Sequence, residues 1–172
     1  MDRTFPGDPY FTPEIKDSMR RIFKAYVFRN PVVGYIQGLN FPFFLVRKFL
    51  SEEDTFWLMC LLIEAYLPPD FYIEMNGATQ HSTILQKILT QYHIVPNLMK
   101  TFQRLEYHLV NLTAKLFLSL FSNSLPERAA YRVFDLFFME GLTSNKVIFD
   151  VTLAYLKIIE PNVALCNDEE EL

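Results

Sequence analysis

Three polar groups stand out in an otherwise apolar chain: Arg3 in Arg3-Thr4-Phe5-Pro6, Gln37 in Gly34-Tyr35-Ile36-Gln37-Gly38-Leu39-Asn40, and the pair in Arg132-Val133-Phe134-Asp135. A guanidinium stays charged and presents its donors as a planar fork. A carboxamide donates through its nitrogen and accepts through its oxygen. Gln37 lies in the most apolar part of the first half, between two glycines and just ahead of Phe41-Pro42-Phe43-Phe44. Buried without a partner, that amide would cost about 1–3 kcal/mol. It therefore needs a hydrogen-bond partner or an aqueous cleft.

Each group also has a plainer reading. Arg3 near the N-terminus is a solvated charge, and Gln37 satisfies backbone groups at a helix start. Arg132 and Asp135, three apart on one helix, pair with each other, although the basic residue coming first is the weaker order along a helix. Bracing a neighbouring loop is the equal alternative. Other chemistries lack their residues. No Gly-x-Ser-x-Gly, Cys/His nucleophile pair or His-Glu-x-x-His occurs. The carboxylates are scattered. Cys60 and Cys166 lie far apart and outside any CxxC, which reads as reduced thiols. His81, His93 and His108 are not spaced as helical metal ligands, so no metal is expected. A formal net charge of −4 offers nucleic acid no global attraction.

The elements that must position these residues are helical. With 172 residues the chain is about one domain. Only 5 glycines stand against 17 Phe and 9 Tyr, which disfavours a turn-rich β-fold and a glycine-lined phosphate loop. An extended segment is expected over 1–11. Thr12-Pro13-Glu14 then starts a helix, with Thr12 as cap and Pro13 where its missing N–H is no loss. Ile15, Met19, Ile22, Phe23 and Tyr26 give it an apolar face, and Asn30-Pro31 ends it. A second helix is expected from Gly34 or Tyr35 to Leu50, and a third from Ser51 to the Pro68-Pro69 stop. Asn76-Gly77 reads as a turn. Further helices are expected from about Gln80 to Tyr92, Pro96 to Leu105, Tyr107 to Phe121, Glu127 to Glu140 with Gly141 closing it, and Asn145 to Glu160, capped by Ser144 and ended by Pro161. An acidic tail occupies 162–172. The fold class is all-α, one irregular multi-helix domain, with no visible solenoid repeat. The apolar run Val32 to Leu50 is broken by Gln37, Asn40, Arg47 and Lys48, so no membrane insertion is expected. Residues 1–30 lack the pattern of a signal peptide, and the reduced thiols point to the cytoplasm.

Taken in order, Arg3-Thr4-Phe5-Pro6, Tyr35-Ile36-Gln37-Gly38-Leu39-Asn40 and Leu125-Pro126 through Arg132-Val133-Phe134-Asp135 to Glu140-Gly141 resemble the TBC-domain family of GTPase-activating proteins for Rab GTPases. Phe56-Trp57 after the acidic Ser51 to Asp54 is similar to that family's third-helix start. Phe134 stands where the family often has Trp, and Leu116 where a Trp is common. The family domain runs longer at both ends, so the resemblance implies a domain trimmed at both ends or a piece of a larger protein. It further implies a dual-finger mechanism, with Arg3 as the arginine finger and Gln37 as the glutamine finger. Tyr35, Gly38 and Asn40 would support the Gln37 loop, and Arg132 and Asp135 the site or docking surface. The implied partner is a Rab-type GTPase in its GTP form, which carries GTP and Mg²⁺, so the chain needs no cofactor of its own. The implied setting is vesicle trafficking, with peripheral recruitment to endomembranes through that partner. Two rivals remain: a catalytically inactive TBC-like scaffold that binds a GTPase or another protein, and an unrelated helical interaction domain.

Overall fold

A computed structural model describes residues 7–143, 145–168 and 171. Helix α1, Pro13–Arg29, starts as expected, with the Thr12 Oγ1 accepting from the Ile15 N–H at 3.4 Å. Its buried face is Met19, Ile22, Phe23 and Tyr26, and Asn30 closes it. Helix α2 is shorter than the sequence suggests, spanning Asn40–Arg47. Gly34 and Gly38 adopt φ of 62° and 114°, which no right-handed helix contains, so the Gln37 stretch is a loop. Helix α3, Glu52–Leu61, is capped by Ser51 and continues through a π-helical turn, Leu62–Tyr66, that closes with Leu67 N–H on Leu62 O.

Helix α4, Asn76–Gln91, starts four residues before the expected Gln80, directly after a 3₁₀ turn at Ile73–Met75. Gly77 lies inside α4, not in a turn. A Cβ there would sit 2.3 Å from the Phe71 Cα, so the glycine permits a close backbone approach. Helix α5 is Pro96–Arg104 and α6 is Leu109–Leu118, which stops short of the expected Phe121 because Leu120 and Phe121 turn left-handed. Helix α7, Glu127–Glu140, matches its expected bounds, with Gly141 at φ 53°. Helix α8, Asn145–Val163, runs through Pro161 for a last turn, held by Val163, which is buried in the core. The expected Ser144 cap lies outside the described residues.

Two apolar clusters share α6 and α8. The larger joins α1, α2, α3, α7 and the facing ends of α6 and α8, around Tyr26, Phe43, Met59, Phe117, Phe137 and Ile148. The smaller joins α4, α5 and the other halves of α6 and α8, around Leu85, Leu98, Leu109 and Leu156. His81 is buried between them; its nitrogens lie 2.7 Å from Gly77 O and 2.5 Å from the Asn145 Oδ1, and it stacks on Phe149. Among the described residues no helix is long and apolar enough to cross a membrane, and no three His, Cys, Asp or Glu side chains group as metal ligands. Cys60 is buried, which pushes its thiol up to about 11.

Candidate functional site

The loop between α1 and α2 is pinned on both sides of Gln37. On the α1 side, Asn30 accepts from the Val33 N–H through its side chain at 3.2 Å and from the Gly34 N–H through its backbone at 2.9 Å. Arg29 places its fork on the Glu64 carboxylate, with Arg29 Nη2 to Glu64 Oε2 at 2.9 Å, and its guanidinium lies 5.3 Å from the Trp57 ring. Tyr35, half exposed, sets its ring edge-on to Phe23 at 5.3 Å. On the α2 side, the Asn40 Oδ1 accepts from the Gly38 N–H at 3.2 Å, Leu39 is fully buried, and Leu39 N–H bonds Ile36 O at 3.2 Å. Gly38 sits against the end of α6, where a Cβ would stand 2.9 Å from Leu118 O.

Between these anchors the Gln37 side chain is exposed and makes no hydrogen bond among the described residues. Of the two alternatives the sequence left, a partner or an aqueous cleft, the exposed side chain fits the second, and it corrects the plainer reading that Gln37 satisfies backbone groups at a helix start. Asn40 is the buried amide, and its partner is the Gly38 backbone. The loop thus offers a free donor and acceptor on a backbone fixed by glycine geometry, hydrogen bonds and burial. Such an amide can engage a group from outside the chain at little further cost in backbone order.

Arg132 and Asp135 pair at 2.8 Å on the outer face of α7, and neither bonds any other described residue. Asp135 also borders an apolar cavity of about 300 Å³ between α2 and α7, lined by Val46, Phe49, Tyr131, Phe134 and Phe138 among others. No hydrogen bond or ion pair among the described residues joins this pair to the Gln37 loop. Arg3 lies outside the described residues, so its relation to Gln37 rests on the sequence.

Sequence reasoning treated Arg47 and Lys48 only as charges that interrupt an apolar run. In the structure, Lys48 bridges the chain's early segment to α7: its Nζ lies 2.7 Å from the Asp8 Oδ2 and 2.7 Å from the Glu127 Oε1, and 5.0 Å from the Phe44 ring centroid. Burial acts to lower the Lys48 value, yet hydrogen bonds to both carboxylates outweigh it and hold the ammonium above its ordinary pKa. Burial likewise acts to raise Asp8, but bonds from Lys48 and the Tyr10 N–H keep it below the usual carboxylate range. Bonds from Lys48 and the Tyr131 hydroxyl lower Glu127. A cation in a largely apolar run was the available signal; its partners, 40 and 79 residues away, were not readable.

The family described as Rab-GTPase-TBC domain matches residues 1–164. TBC1 domain family member 2A from Homo sapiens is 33% identical over 168 residues, 95% of this chain and 18% of that protein. Small G protein signaling modulator 3 from Rattus norvegicus is 34% identical over 143 residues, 83% of this chain and 18% of that protein. The chain therefore spans about a fifth of these curated relatives. The crystal structure of the Chlamydomonas flagellar RabGAP TBC domain superimposes with a TM-score of 0.82 at 33% identity, covering 99% of this chain and 56% of that one.

Proposed function

The chain belongs to the Rab-GTPase-TBC domain family, and on that premise we propose that it accelerates GTP hydrolysis by a Rab-type small GTPase, with Arg3 and Gln37 as its two fingers. Hydrolysis on a small GTPase is slow because charge developing around the γ-phosphate is unstabilised and the attacking water is poorly held. An arginine supplied in trans is worth about 10³–10⁵ in rate, or roughly 4–7 kcal/mol of barrier. Arg3 would supply that charge. The Gln37 amide would hold the water through its oxygen and donate to a phosphate oxygen through its nitrogen.

The observation that carries this reading is the exposed, unbonded Gln37 on a loop pinned at Asn30, Gly38 and Asn40. Catalysis by positioning requires such an arrangement, because a misplacement of about 1 Å can cost 10²-fold. Tyr35 would steady the loop and touch the partner, and Arg132 with Asp135 would contribute to docking from α7. GTP and Mg²⁺ would arrive with the GTPase, in its GTP form. Recruitment to endomembranes would follow from that partner and place the protein in vesicle trafficking.

Single-turnover GTP hydrolysis across a panel of Rabs tests the reading. Acceleration of at least one Rab is expected, with Arg3→Lys and Gln37→Ala each removing about 100-fold or more of it. GTP-dependent binding with no acceleration would instead establish the scaffold reading.

A further inference from the structure

We propose that Lys48 is a positioning residue for Arg3, docking the segment that carries the arginine onto the short helix that begins just after Gln37. The role for Arg3 rests on the finger reading above; the docking itself rests on described contacts alone. Asp8 is tied to Lys48 at 2.7 Å, and its other oxygen accepts from the Tyr10 N–H at 2.8 Å. The Tyr10 hydroxyl donates to Arg47 O at 3.0 Å, and the rings of Tyr10 and Phe11 meet Phe44 at 6.0 and 5.3 Å. Arg47 is itself held by the Ser18 Oγ and Leu50 O. The second carboxylate on Lys48, that of Glu127, fixes the same end of α2 to the first turn of α7.

Lys48 differs from a routine surface pair. Its side chain is 15% exposed and serves two carboxylates from different parts of the chain, over an aromatic face. Exposed pairs are weakened by solvent and by the entropy of two free side chains; here both carboxylates are attached to ordered backbone. Geometry gives the hold a use beyond stability. Arg3 precedes Asp8 by five residues in the sequence. Helix α2 has eight residues and is about 12 Å long. The Gln37 loop leads into its N-terminal end and the hold sits at its C-terminal end, so one short helix borders the Gln37 loop and anchors residues 8–11. Without the hold, Asp8 keeps only its local bonds with Tyr10 and Phe11, and the segment before Tyr10 loses its tie to α2 and α7.

The full chain is tested as Lys48→Met and Asp8→Asn. Hydrogen exchange of the Tyr10, Phe11 and Thr12 amides, whose bonds lie next to Asp8, should accelerate in both variants, with α3 and α8 unchanged. Against a responsive Rab, kcat should fall about 100-fold with KM little altered, and Lys48→Met should cause no further loss in an Arg3→Ala background. Unchanged exchange of these three amides in both variants would overturn the docking. A Lys48→Met loss that multiplies the Arg3→Ala loss would overturn the link to Arg3. Absence of acceleration of any Rab by the unaltered chain would end the finger reading and the role for Arg3, while the exchange result still decides whether Lys48 docks the segment. Asp8→Asn preserves size at a partly buried position and keeps the test open should Lys48→Met fold poorly.

Discussion

At the scale of single residues, Gln37 owes its freedom to its neighbours. Gly38 at φ 114°, with Leu118 O where a Cβ would sit, leaves that position to glycine alone. Gly38→Ala is expected to lower stability by about 2 kcal/mol, from left-handed strain and overpacking together, as measured by urea unfolding. Asn40→Ala removes the acceptor for the Gly38 N–H and should cost about 1–2 kcal/mol, and under the proposed function it should lower kcat more than it alters KM. Thr55 presents the opposite case. It is fully buried, and its hydroxyl has no hydrogen-bond partner among the described residues. Thr55→Val keeps the shape and removes the unpaired group, so the midpoint of urea unfolding should stay or rise, by up to about 1 kcal/mol. The glycine spacing around Gln37 was the readable sign that this stretch departs from helix. Which amide is buried and which exposed was not readable, because burial depends on the elements that pack around the loop only after folding.

At the scale of elements, three helix ends among the described residues close on left-handed residues that are not glycine. His93 after α4, Glu106 after α5 and Leu120 with Phe121 after α6 have φ of 49°, 54°, 45° and 65°. The backbone still makes the closing bonds, Ile94 N–H to Leu89 O, Tyr107 N–H to Phe102 O and Phe121 N–H to Leu116 O. A left-handed non-glycine residue costs about 1–2 kcal/mol. Full burial of Leu120 and Phe121, about 1.5–3 kcal/mol each, offsets that strain. Glu106 is exposed and has no such compensation, so Glu106→Gly should stabilise the chain by about 1 kcal/mol in thermal or urea unfolding. These ends explain why the sequence extends the Tyr107 helix to Phe121: the usual stop signals, Gly and Pro, are absent there. Where local chemistry is decisive, as with Thr12-Pro13, Ser51 and Gly141, the boundaries agree with the structure. Asn76-Gly77 shows the converse, a turn signal whose glycine serves a helix pressed against Phe71.

At the scale of the molecule, the Lys48 hold ties an early segment, α2 and α7 into one body, and its chemistry sets a pH window. Asp8 and Glu127 have folded values below their ordinary 3.8 and 4.5, so their contribution is complete above those values and lost as pH falls through the lowered ones. Lys48 is raised above 10.5, so its contribution is present below that value and lost as pH climbs through the raised one. Protection of the Tyr10, Phe11 and Thr12 amides, corrected for intrinsic exchange, should therefore be flat from about pH 5 to pH 10 and decline in stronger acid. The sequence by itself determined the all-α class, most helix starts and the motif order that identifies the family, because caps, periodicity and short motifs are properties of a few adjacent residues. Only the tertiary structure decided that Gln37 is exposed while Asn40 is buried, that α6 ends at Leu118, and that Lys48 joins Asp8 to Glu127. Each of those depends on groups brought together across tens of residues, and burial and ion pairing between such groups exist only once the chain has folded.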